Sequence, residues 1–267
     1  MIKAFFGNWG GAFRDAWRFA AALPLVFAAM ITIEFAQHCV EVKLGFFSPD
    51  SAVRKAAAME PLRMAFGWPK MLIVYALGFV AIRYFVTGDR REALRPSAHA
   101  VGRYAWVAGY QLIIAAIVIY AAPILGLFGV GESGVMPLRL TVSLIQQLAE
   151  PLLFLWFVNA AMGTNAYGPL ASARVTRWFY VWGLLLMFVA RFPFGGVHQL
   201  LNRWPAGKPS TILWPALAID AVVVAIMVTV LAAIQVRIAR YIADRRGVPL
   251  LGDAASRDVI GGTVRAA

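Results

Sequence analysis

From Tyr104 to Gly131 the chain carries no Asp, Glu, Lys or Arg. Such a run is long enough to cross the roughly 30 Å hydrocarbon core of a bilayer as one helix, which needs about 20 apolar residues. Inside lipid a backbone must satisfy its own hydrogen bonds, so the choice lies between helices and a closed barrel. The apolar runs are continuous and lack the period-two alternation of barrel strands, so helices are expected. Composition agrees. The 267 residues are 61% hydrophobic and only 14% charged, and a water-soluble domain usually has about a quarter charged residues. A disordered chain, a secreted disulfide scaffold and an ordinary cytosolic enzyme are excluded. Cys39 is the single cysteine, which removes any intrachain disulfide and any multi-cysteine metal site.

Six spans are predicted, over residues 19–39, 69–86, 104–128, 138–162, 178–194 and 212–234. The fold class expected is therefore an all-α polytopic membrane bundle. With the N-terminus inside, sixteen of the 25 Lys and Arg residues fall on the cytoplasmic side. The positive-inside rule then places both termini in the cytoplasm. The first span ends in Glu34, Gln37, His38 and Glu41 rather than a small-residue cleavage site, so it does not read as a signal peptide. After it, the stretch from Ser48 to Phe66 reads as a surface helix capped by Ser48, Pro49 and Asp50. Residues 1–245 are read as one transmembrane domain, and 246–267 as a flexible cytoplasmic tail.

An internal pattern recurs. Ser97–Gly109 aligns with Ser172–Gly183 through Ser97/Ser172, Arg103/Arg177, Tyr104/Trp178 and Gly109/Gly183. Arg18 followed by Phe19 gives a looser third copy. Each copy reads as an Arg-bearing amphipathic helix leading into a span out and a span back, with repeats over 1–90, 91–165 and 166–245. A true repeat and the common character of any helix entering a bilayer both explain it.

Three hairpins with lead-in helices, and the sequence Arg83-Tyr84-Phe85-Val86-Thr87-Gly88-Asp89 at the end of the second span, are similar to the bacterial six-helix superfamily of YciC-like proteins and glycerophosphoryl diester phosphodiesterase membrane domains. The resemblance covers residues 1–245 in architecture. It implies a bacterial inner-membrane protein. It carries over no activity, because the family's membrane domain has none established, and no phosphodiesterase catalytic domain is expected within these residues.

Charges within spans are costly, so each is a candidate functional group. Glu34, Glu150, Arg191 and Asp220 form that set. At 1.5 Å per residue, Glu150 and Asp220 lie about 14 and 12 Å below the outer edges of their spans, and Glu34 and Arg191 about 20 Å above the inner edges, so all four fall in the outer half at similar depth. Gln146 stands one turn from Glu150 on the same face, which marks the fourth span as the least lipid-like and places it inside the bundle. Glu34, His38 and Glu41 share a helix face, and His198 is the only other histidine expected on that side of the membrane. Three histidines make a poor ligand inventory, so no metal and no cofactor is expected. A substrate or ion site built from Glu34, His38, Gln146, Glu150, Arg191 and Asp220 stands against a packing role for the same charges.

On the cytoplasmic side, Arg18, Arg83, Arg90, Arg91, Arg103, Arg177, Arg237 and Arg240 are candidates for anionic lipid headgroups. A membrane-protein partner or a second copy of the chain is the other partner class; nucleic acid is not expected. No nucleophile elbow, Ser-His-Asp order or phosphate loop is present, so an enzyme is not expected. Three readings remain: a small transporter, a structural or assembly subunit that binds lipid, and an intramembrane lipid-modifying enzyme.

Overall fold

The computed structural model describes residues 2–252. Among them there are helices and turns but no strand. Six helices are long and apolar enough to cross a membrane, and the protein is a multi-pass, all-α integral membrane protein. The helices are α1 (Ile2–Ala22), α2 (Pro24–Lys43), α3 (Ser51–Ala58), α4 (Pro61–Thr87), α5 (Arg90–Leu94), α6 (Ala98–Ile119), α7 (Ala121–Leu127), α8 (Val135–Met162), α9 (Pro169–Thr176), α10 (Tyr180–Arg203) and α11 (Ser210–Arg246).

Prolines explain most departures from the expected boundaries. The first span starts at Pro24 rather than Phe19, because a residue before proline is driven out of the helical region. Leu23 accordingly sits at φ −131°, ψ 56°. The expected surface helix is divided. Asp50 caps α3, its carboxylate accepting from the Ala52 N–H at 2.7 Å, but Pro61 then opens α4 at its N-terminus. The second span is thus eight residues longer than expected at that end. Only the first repeat keeps a long separate lead-in helix, α1. In the second, Ser97 caps α6 itself and the lead-in is the first turns of the span. In the third, α9 is followed by a 3-10 turn, Arg177–Phe179, with Arg177 at φ 32°.

The described residues form two compact units. Unit 1 holds 2–81 and 188–234; unit 2 holds 82–187 and 235–252. These limits are not those of the three sequence repeats.

In unit 2, α6 and α8 carry the main contact, and Pro123 ends α6 by withholding the N–H that Ile119 would accept. The Arg139 guanidinium supplies donors to the carbonyls of Val118 and Ile119 instead, at 2.9 and 3.4 Å. Pro151 interrupts α8, and hydroxyls of Tyr180 and Ser172 bond the flanking carbonyls of Leu148 and Leu152 at 2.9 and 2.6 Å. Gly163 closes α8 at φ 74°, where a Cβ would lie 3.2 Å from Ala100. The first residues of the expected tail are held, not loose: Tyr167 donates to the Pro249 carbonyl and Asn159 to that of Leu250, both at 2.9 Å. The rest of the tail lies outside the described residues.

In unit 1, the core of α11 is lined by small and branched residues, Ala216, Leu217, Ala221, Val224 and Ala225. Small residues let helix backbones approach closely where lipid offers no hydrophobic drive. With α8 next at 33%, α11 has the most buried apolar window of the six, at 61%. Its mean hydropathy, 2.7, is also the highest of the six, and a helix apolar on every side belongs inside.

Candidate functional site

Unit 1 buries a network of charged and polar side chains drawn from α2, α4, α10 and α11. Glu34, His38 and Glu41 are contributed by one face of α2, and all are at most 1% exposed. That face cannot meet lipid and must meet polar partners. The α11 partner is Asp220, fully buried ten residues into its helix. His38 joins the two helices. Its Nε2 lies 2.9 Å from Asp220 Oδ2 and 3.9 Å from Glu34 Oε1, and its Nδ1 lies 3.1 Å from Glu41 Oε2. Both ring nitrogens therefore face carboxylate oxygens.

From α10, His198 Nδ1 reaches the two Asp220 oxygens at 2.8 and 3.0 Å, and the Asn202 amide donates to Oδ2 at 2.7 Å. His198 and Asn202 are one turn apart, so both project from one face. From α4 come two cations. Lys70 Nζ stands 2.8 and 2.7 Å from the Glu34 oxygens, and Arg63 Nε donates to Glu41 Oε1 at 2.9 Å. Gln37 donates to the same Glu41 oxygen at 2.9 Å. Three carboxylates thus face two fixed cations. One carboxylate charge is left for histidine protons or a bound cation.

Three of the contributing helices carry a proline near the site residue: Pro69 beside Lys70, Pro193 before His198 and Pro215 before Asp220. A proline removes one helical hydrogen bond and breaks the regular backbone packing. The end of the network near Lys43 is covered by aromatics. Phe47 packs on Leu213 and Leu217 and meets the His38 ring edge-on at 6.3 Å. Phe46 lies under the Arg63 guanidinium, 4.4 Å away. The turn that carries them is tied down by the Gly207 N–H, which donates to the Phe47 carbonyl at 2.8 Å.

Beside this cover opens a cavity of about 460 Å³, lined by Phe46, Arg54, Asn202, Arg203 and Ala206. Asn202 belongs to both features: it lines the cavity and holds Asp220. Ligand atoms of Glu34, His198 and Asp220 lie within 4.8 Å of one another, a spacing that suits one metal ion. That group departs from the expectation of no metal set, because folding brings His198 to carboxylates on two other helices.

No protein-family model matches the chain, and no curated protein or solved structure matches it either.

Of the sequence candidates, Glu34, His38 and Asp220 come together as one network. Arg191 does not join it; among the described residues it forms no ion pair, although it stands two turns before His198 on α10. Glu150 and Gln146 belong to unit 2, where the Gln146 amide donates to Glu150 at 3.1 Å. With the second span starting at Pro69, Arg63 and Lys70 count only among the basic residues of the outer side. With the helix starting at Pro61, Lys70 stands nine residues inside α4 and meets Glu34 on the acidic face of α2. His198 and Asn202 carried an i, i+4 polar signal near the end of a span.

The lipid-facing candidates also divide. Arg18, Arg90, Arg91, Arg177 and Arg240 are exposed, and Arg103 and Arg237 are half-buried. Arg240 is also bonded to protein, donating to the Phe85 and Val86 carbonyls at 2.6 and 3.0 Å. Arg83 is not at the surface. It is 5% exposed and donates to the carbonyls of Glu92 and Ala161. An arginine in the last turns of α4 points inward because the short α5 folds back and presents its Glu92 carbonyl.

Proposed function

We propose that the protein is a non-enzymatic transport unit of a bacterial plasma membrane that takes a cation at the Asp220 centre of unit 1. One observation carries the reading. Asp220, fully buried, is held by side chains from two other helices, and one of them, Asn202, also lines an open cavity. Intramembrane carboxylates with that kind of access mark ion pathways in membrane proteins. The surplus carboxylate charge gives a cation its reason to enter. The six-helix superfamily resemblance and the excess of Lys and Arg on one side support a membrane placement with both termini cytoplasmic. A carboxy-terminal reporter that is active only in the cytoplasm tests the orientation; activity from an exported reporter at the same position overturns it.

The packing role is favoured by a separate observation: each carboxylate of the network already has a cation, histidine or amide beside it. Reconstituted vesicles separate the two. Wild-type protein is expected to give a flux signal for at least one of H⁺, K⁺ and Zn²⁺, read with trapped indicators. Asp220→Asn keeps the side-chain shape, and is expected to abolish that signal at unchanged folded yield. No signal from the wild type for any of the three, or equal flux from the variant, overturns the transport reading.

A further inference from the structure

We infer that Glu34, His198 and Asp220 bind a divalent transition-metal ion of the zinc class. The inference rests on the transport reading above and names the cargo of the same site. One imidazole nitrogen and two carboxylate oxygens, from α10, α2 and α11, lie within 4.8 Å of one another. Zinc takes such ligands at about 2.0–2.2 Å, in sets of three or four. A metal at their centre would stand within about 3 Å of each ligand atom before any adjustment, so side-chain rotation alone closes the shell. A nitrogen in the set favours a borderline ion of the first transition row over Mg²⁺ or Ca²⁺, which prefer all-oxygen shells.

The surroundings fit this chemistry. Two of the three ligands, Glu34 and Asp220, are fully buried, and His198 is half-exposed. The site is thus dry on one side and approachable on the other. Asp220 Oδ2 also contacts His38 at 2.9 Å and Asn202 at 2.7 Å, which fixes the orientation of a ligating carboxylate. His38 in turn is fixed by Glu41. Glu34 Oε2 meets the Lys70 ammonium at 2.7 Å without an aligned hydrogen bond. Lys70 is therefore an internal cation that an entering metal must share Glu34 with. That competition gives the site a release device: like charges on one carboxylate weaken each other's hold.

The test uses purified full-length protein in mild detergent, stripped with a chelator and titrated with Co²⁺. The visible d–d bands of Co²⁺ report nitrogen and oxygen ligation, and Zn²⁺ is the competitor. One Co²⁺ per chain is expected. His198→Gln and Asp220→Asn are expected to weaken binding by about 100-fold, and Lys70→Met to tighten it by about tenfold. His99→Gln, an exposed histidine of unit 2, is expected to change nothing. If Asp220→Asn fails to fold, His198→Gln decides, because that residue is at the accessible edge. No stoichiometric binding to the wild type, binding untouched in His198→Gln, or binding lost in His99→Gln overturns the inference. Proton or K⁺ flux without metal binding removes the cargo and leaves the transport reading. Metal binding without any flux does the reverse.

Discussion

Asp220→Ala is expected to lower stability by about 3–5 kcal/mol, the usual cost of removing one partner from a buried charged network. Asp220 is the only group of α11 in the network, and it contacts His38 on α2 and both His198 and Asn202 on α10. Truncation leaves these three polar groups without their common acceptor in the core of unit 1. Two-thirds of the loss is expected to return in Asp220→Asn, which keeps the volume and one acceptor oxygen. Thermal unfolding in detergent, followed by far-ultraviolet circular dichroism, measures both. An Asp220→Ala protein as stable as wild type would show that the network contributes neither stability nor order. The separation between the two variants matters as much as the size of either. Equal loss of stability in both would favour packing, and loss of flux in Asp220→Asn with most of the stability kept would favour transport.

The second large effect is expected at Arg83→Met, in unit 2. The guanidinium donates to the Glu92 carbonyl at 2.7 and 3.2 Å and to the Ala161 carbonyl at 2.9 Å. Met keeps much of the length but donates nothing. Two carbonyls lose their donors, at about 1–3 kcal/mol for each buried group left unsatisfied. A total of about 2–6 kcal/mol is expected in thermal unfolding. Lys in place of Arg restores less than half, because a point charge lacks the planar fork that meets two acceptors. Changing the anionic lipid content of nanodiscs is expected to leave the Arg83→Met deficit unchanged. A deficit that tracks anionic lipid would return Arg83 to the headgroup role first assigned to it.

These expectations show how differently chemistry and partnership are encoded. The six spans were legible because a bilayer-crossing helix announces itself within one stretch of about 20 residues. Boundaries failed where a proline could be read as either a break or a start. Pro24 began a helix expected to be under way, and Pro61 began one expected to start at Pro69. The second difference conceals Lys70, since a lysine at the outer end of a span counts as a loop charge and one inside a helix as a counter-ion.

The candidate site was legible in part. Glu34 and Asp220 stood out because a charge in a span is rare, and the shared face of Glu34, His38 and Glu41 followed from helical periodicity. Similar depth also made Glu34, Glu150, Arg191 and Asp220 candidates for one site. Depth fixes only one coordinate of a side chain. Rotation about the helix axis and the choice of neighbour fix the others, and these depend on how small residues let backbones approach. Arg191 has the depth and lies on His198's side of α10, yet forms no ion pair among the described residues.

By itself, then, the sequence determined the class of the molecule: an all-α, multi-pass membrane protein, with a few ionisable residues inside its spans. Hydropathy and helical period are local quantities, summed along one segment. Tertiary structure alone decided that His38 lies between Glu41 and Asp220, that Lys70 and not Arg191 answers Glu34, and that Arg83 is buried. Where side chains of different helices meet in unit 1, the pairings are separated by 18 to 182 residues. They are set by which helix faces pack together, and no single span contains that information.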